Sequence, residues 1–169
     1  MTVPVLLLDV DGVLNAVQPG WSAPPRRATA STNGLTYRLT WAPELLDRLR
    51  GWHLDGWVEL RWATTWCPDA DQLERLWDLP PLPRALGDDD LGSFARILAG
   101  KLNAALAVVE EERRALVWVD DDAIPAFGPY RDRLDDAPSG ALLVTPRPTR
   151  GITREEADLI ESFLDDQRA

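Results

Sequence analysis

The chain's 169 residues, 45% of them hydrophobic, suffice for one sizeable core and are too few for two, so one domain is expected. A formal charge of -10 makes the molecule's overall field repulsive to nucleic-acid backbones and anionic lipid, so a phosphate group must be met by a local cationic cluster or a metal. A single cysteine, Cys67, excludes an intrachain disulfide, the N-terminal apolar run is short and lacks a signal peptide's basic lead-in, and no segment reaches membrane-spanning length; a cytoplasmic protein without membrane association is the expectation.

Val5 to Val10 is a continuous apolar run of strand length, the pattern of a strand covered on both faces in a parallel sheet. It delivers Asp9 and Asp11 at its end, with Gly12 directly behind. Asn15 to Ser31 is rich in Pro, Gly, Ala and Ser and carries Trp21 and the pair Arg26-Arg27; with the short strand Leu35 to Leu39 it reads as a flap or hairpin inserted at about residues 15–40. Pro43, then Leu45, Leu46 and Leu49, predict an amphipathic helix closed by Gly51. Val58 to Trp62 alternates as a second core strand and runs into Thr64-Thr65-Trp66-Cys67, after which Pro68 opens a helix.

The Pro-rich stretch Leu79 to Leu86 has room for a short strand, and Gly87 to Gly92, with Asp88, Asp89 and Asp90, reads as a solvated loop or helix cap. Leu102, Ala105, Leu106 and Val109 share one face of a helix predicted to start near Lys101 and end in Glu110 to Arg114. Ala115 to Val119 is another buried strand, and it ends in Asp120-Asp121-Asp122. Ala141 to Val144 is the last strand, followed by a loop with Arg147 and Arg150 and by a C-terminal helix whose capping box is Thr153 with Glu156. Lys101 is the only lysine among 18 basic residues, a place where a compact point charge suits better than a planar fork.

Strands alternating with helices imply an open, mostly parallel α/β sheet whose ligands bind beyond the strands' carboxyl ends. The acids of the first strand, the Thr64-Thr65 pair, the acids of the later strand and Lys101 then converge on one rim. Crowded carboxylates repel unless a cation neutralises them, and oxygen-only ligands suit Mg²⁺. A carboxylate can attack phosphorus, a second one can move the proton, and hydroxyl and ammonium donors can hold the phosphoryl oxygens.

Asp9-Val10-Asp11-Gly12-Val13-Leu14-Asn15 resembles the first motif of the haloacid dehalogenase (HAD) superfamily, Asp-x-Asp-Gly-(Thr or Val) after a buried strand. The later motifs follow in that family's order: a Thr ending a strand, a Lys at or before a helix, and an acidic pair ending a strand, together spanning Asp9 to about Asp122. The resemblance implies a three-layer Rossmann-like core with helices on both faces, a Mg²⁺ requirement and phosphomonoester hydrolysis through an aspartyl-phosphate. It assigns Asp9 as nucleophile and metal ligand, and Asp11 as general acid/base that lends its backbone carbonyl to the metal. Thr64 matches the second-motif hydroxyl, with Thr65 one register away, and Lys101 the third-motif lysine. Asp120 matches the fourth-motif metal ligand and Asp121 its supporting acid, with Asp122 a third acid in the run.

Asn15, Trp66, Arg26, Arg27, Arg147 and Arg150 are candidates for contacting the phosphorylated substrate, Trp66 by stacking and the arginines by supplying local positive field. The insertion is only flap-sized, so the site is expected to be open. An RNA or DNA end phosphatase is therefore the alternative to a metabolite phosphatase. A non-catalytic HAD-like module that binds a phosphorylated ligand or a protein is the third reading.

Overall fold

A computed structural model describes residues 2–169. Four parallel strands, β1 (Val5–Leu8), β4 (Glu59–Trp62), β5 (Leu116–Val119) and β6 (Ala141–Val144), lie side by side in the order β4-β1-β5-β6. Residue alternation divides each strand between two layers. Leu6 and Leu8 of β1 join Leu60, Trp62, Val117 and Val119 in one core, packed on helix α1 (Pro43–Leu54) and helix α5 (Arg154–Asp166). Val5 and Leu7 join Leu116 and Trp118 in the other, beneath helix α3 (Phe94–Leu106) and helix α4 (Pro129–Asp135). Both faces of β1 are thus dry, and each of its fully buried aliphatic side chains is worth about 1.5–3 kcal/mol of transfer free energy. The result is an α/β fold with helices flanking a parallel sheet.

The strand order decides where a ligand can sit. From β1 the chain goes to β4 on one side, then crosses through helix α2 (Ala70–Leu76) and α3 to β5 on the other side. The strand order therefore reverses between β1 and β5, and the carboxyl ends of those two strands flank a crevice that neither neighbour fills.

The predicted insertion is a complete antiparallel hairpin, β2 (Arg26–Thr32) with β3 (Leu35–Trp41). Ala30, Leu39 and Trp41 face the core, and the intervening residues, among them Arg27, Arg38 and Thr40, make up the other face. Its base is pinned to the loop after β1: Ala16 N–H donates to Thr40 O, and Thr40 N–H donates to Asn15 Oδ1, both at 2.9 Å.

Several elements depart from the sequence expectation. Helix α3 starts at Phe94 rather than near Lys101, capped by Ser93 Oγ, which accepts from Arg96 N–H; its first turn is exposed and so carried no apolar period. Lys101 lies two turns inside that helix. Helix α1 continues through Gly51 to Leu54. The stretch 79–86 makes only a bridge, Trp62 with Arg84, because Pro80, Pro81 and Pro83 lack the donors a ladder needs. Asp88–Gly92 is a short 3₁₀ turn, and α4, with Leu134 as its sole buried residue, had no periodic signal. Among the described residues no helix is long and apolar enough to cross a membrane.

Candidate functional site

Strand β1 ends at Leu8, and the next residue, Asp9, is held at the sheet's rim with its Oδ1 accepting the Val10 N–H at 2.7 Å. Strand β5 ends at Val119, and Asp120 there is fully buried. Between them stands the Lys101 ammonium, 2.7 Å from Asp9 Oδ2 and 2.6 Å from Asp120 Oδ2. The crossover helix α3 thus bridges the two strands on either side of the reversal point. Asp120 Oδ1 also accepts the N–H groups of Asp122 and Ala123, so the turn after β5 wraps around its carboxylate.

Asp121 and Asp122 complete the group: one carboxylate oxygen from each of Asp9, Asp120, Asp121 and Asp122 lies within 4.8 Å of the others. The tight turn behind Asp11 makes this possible. Gly12 has φ +74°, and a Cβ there would come within 2.4 Å of Asp121 Oδ2, so any side chain would strain the backbone and displace that acid.

The electrostatics follow from crowding and burial. Burial, aided by the charge of Asp120 and opposed by Lys101, pushes the Asp9 carboxyl up to about 7. Asp121 is raised by burial and by its neighbours Asp122 and Asp120, and Asp122 by burial and by Asp120. Burial works against the Lys101 ammonium, but Asp9 and Asp120 outweigh it and raise its pKa. One ammonium does not balance four carboxylates. The residues fit a hard divalent cation: all donors are oxygens, and they are close enough to share one ion.

Asp11 belongs to a different set of contacts. Its Oδ1 accepts from Asn15 Nδ2 at 2.7 Å and its Oδ2 from the Trp66 indole N–H at 2.9 Å, so its side chain stands apart from the four-carboxylate group. Asp9, Asp11, Thr65, Lys101, Asp121 and Asp122 all line a cleft of about 740 Å³.

Not every sequence candidate reaches that cleft. Thr64 is fully buried, and its Oγ1 accepts the Trp66 N–H; of the pair, it is Thr65 that lines the cleft. Trp66 is 1% exposed, packed edge-on against Tyr37, and is a buttress for Asp11 rather than an open stacking surface. Asn15 lines the cleft, but both ends of its amide are engaged, with Asp11 and Thr40. Arg27 lines the cleft. Arg26, one residue earlier in the strand, borders a separate small hollow beside Trp41 and Asp47. Arg147 and Arg150 lie outside the cleft lining, the Arg150 guanidinium packing over Gly20 while Pro148 between them reaches the wall.

Sequence reading missed Arg38, Thr40, Phe94, Ile97 and Leu98 on the cleft wall. The alternation Thr36, Arg38, Thr40 on the polar face of β3 was the available signal for two of them.

The chain matches no protein-family model. A search of curated proteins likewise finds no match.

Proposed function

We propose that this protein is a Mg²⁺-dependent phosphomonoesterase of the HAD type, working through an aspartyl-phosphate on Asp9. The observation that carries the reading is the pairing of Asp9 and Asp120 through one ammonium, inside a group of four carboxylates, at the point where the strand order reverses. This juxtaposition joins residues far apart in sequence at the position where open α/β sheets take ligands. Crowded carboxylates with perturbed titration beside a cleft are a recurring mark of functional sites.

In this reading an Asp9 carboxylate oxygen attacks phosphorus and the ester P–O bond breaks, with Asp11 giving its proton to the departing alkoxide. Asp11 then takes a proton from water as that water attacks the phosphorus, releasing inorganic phosphate and restoring the Asp9 carboxylate. Asn15 and Trp66 fix both oxygens of Asp11 so that it can serve at the cleft without drifting into the four-carboxylate group. Lys101 holds Asp9 in place and presents positive charge where the phosphoryl oxygens gather, with Thr65 a second donor on the same wall. Asp9, Asp120, Asp121 and Asp122, with the Asp11 backbone carbonyl, would hold Mg²⁺, which supplies Lewis-acid stabilisation of phosphoryl charge.

The test is phosphate release from a generic aryl phosphate, with and without Mg²⁺, by the wild type and by Asp9→Asn. The expected result is metal-dependent turnover that falls by at least about a thousandfold in the variant. Equal turnover in the variant, or ligand binding without turnover across a broad phosphate panel, contradicts the proposal.

A further inference from the structure

Two features of the cleft go unused in the hydrolysis of a simple phosphomonoester. The first is a pair of arginines on the hairpin. Arg27 pairs across the ladder with Thr40, and Arg38 pairs with Thr29, so Arg27 and Arg38 are diagonal neighbours on one face of the hairpin, Thr40 on the same face. All three line the cleft. Most other arginines are satisfied: Arg48, Arg61, Arg84, Arg114 and Arg133 each have a carboxylate at 2.7 Å or closer. Among the described residues Arg27 and Arg38 have no hydrogen-bond or carboxylate partner, although acids outnumber bases by 28 to 18 in this chain. Two like charges side by side with no counter-ion repel, and an anion between them removes that cost. Their placement is also firm, since Thr40 is tied through its N–H and C=O to Asn15 and Ala16, in the same loop as Asp11.

The second feature is on α3. Phe94, Ile97, Leu98 and Lys101 follow the spacing i, i+3, i+4, i+7 and all line the cleft, so one face of the helix runs from an ammonium at its inner end to an aromatic ring at its mouth. Phe94 is 66% exposed. At ~1.5 Å per residue the stripe extends over about 10 Å, the length of a nucleoside rather than of a phosphate alone.

We propose that Arg27, Arg38 and Thr40 form a second anion subsite, and that the substrate is a phosphomonoester with a flat aromatic ring system and a second phosphate. The inference rests on the phosphatase reading of the rim and names its substrate class. The scissile phosphate lies at Lys101, the ring along Phe94, Ile97 and Leu98, and the second anion between the guanidiniums. A free nucleoside bisphosphate and the phosphorylated end of a short oligonucleotide share this chemistry.

The experiment compares equilibrium binding of a nucleoside 5′-monophosphate, the matching 3′,5′-bisphosphate and a 5′-phosphorylated dinucleotide, with Mg²⁺. The protein is Asp9→Asn, which the proposed mechanism leaves unable to turn over, alone and combined with Arg27→Gln/Arg38→Gln. The bisphosphate or the dinucleotide is expected to bind at least about tenfold more tightly than the monophosphate, a preference that shrinks to within about twofold in the combined variant. Arg26→Gln, outside the cleft, is the control for net charge and keeps the preference. Preference for either doubly anionic ligand supports the subsite and names its source. Equal affinity for all three ligands, no binding of any, or a preference that survives loss of both arginines overturns it. A preserved preference with no turnover in the aryl phosphate assay overturns only the catalytic reading.

Discussion

The chain contains the run Asp-Asp-Asp twice, at residues 88–90 and 120–122, and the two runs have opposite fates. The first follows a Pro-rich stretch and forms a 3₁₀ turn in which Asp88 and Asp89 are exposed and Asp90 caps the Gly87 N–H at 2.8 Å. The second follows the buried strand β5, so its first acid is fully enclosed and must find a cation, which it does in Lys101 at 2.6 Å. Identical side chains become a solvated cap or part of a charged centre according to what precedes them. A buried strand removes water, which strengthens every electrostatic interaction at its end and makes an unpaired charge there costly.

The largest expected contrast is between the two runs themselves. Asp120→Ala leaves the buried Lys101 ammonium with one partner fewer and is expected to cost about 3 kcal/mol in chemical denaturation, whereas Asp88→Ala stays within about 0.5 kcal/mol. Comparable losses at both positions would erase the distinction. Next in size is Gly12→Ala, expected to cost about 2 kcal/mol by denaturant midpoint and to weaken divalent-cation binding, because the new methyl both strains φ and strikes Asp121. Mg²⁺ at about one hundred times its dissociation constant should stabilise the wild type by about 2.7 kcal/mol, read as a rise of several degrees in Tm. Asp120→Asn should lose that rise and Asp89→Asn should keep it.

Smaller effects sharpen the picture around the rim. Trp66→Phe keeps most of the aromatic packing but removes the N–H that Asp11 accepts, and is expected to lower kcat for an aryl phosphate about tenfold, at about 1 kcal/mol of stability. The smallest effect lies far from the rim, at the sheet's opposite end. Hydrogen bonds from Arg61 hold Glu59 and Glu112 below their usual pKa, with Arg114 adding to both. Their contribution is therefore complete above the ordinary glutamate range and is lost as pH falls through the lowered values. Since both acids are about one-third exposed, Arg61→Gln should flatten acid unfolding by only about 0.5–1 kcal/mol.

Regions governed by strong periodicity were legible in the sequence. The four core strands and the Thr153–Glu156 capping box were readable because β1, β5 and β6 are short apolar runs and β4 alternates. The acids at the ends of β1 and β5 were legible for the same reason; the lone lysine stood out by its solitude, but it meets them from two turns inside α3 and not from the expected helix start. Side chains that act on other side chains were not. Trp66 and Asn15 looked like substrate contacts, because no one-dimensional signal shows that an indole N–H and an amide will both close on Asp11. The choice between Thr64 and Thr65 turns on which of two adjacent residues faces inward past the end of a strand, where alternation no longer holds. Arg38 escaped because its place on the cleft wall depends on how the hairpin packs against the rim, a tertiary fact with only the polar alternation of β3 as its trace.

The proposed function requires Asp9 and the second aspartate run to share one divalent cation. Crystals soaked in Mn²⁺, an anomalous scatterer with the same preference for oxygen ligands, test it directly. A single strong peak among the carboxylates of Asp9, Asp120, Asp121 and Asp122 is the expected result. No peak there, or a peak at Asp88 to Asp90 instead, would contradict it.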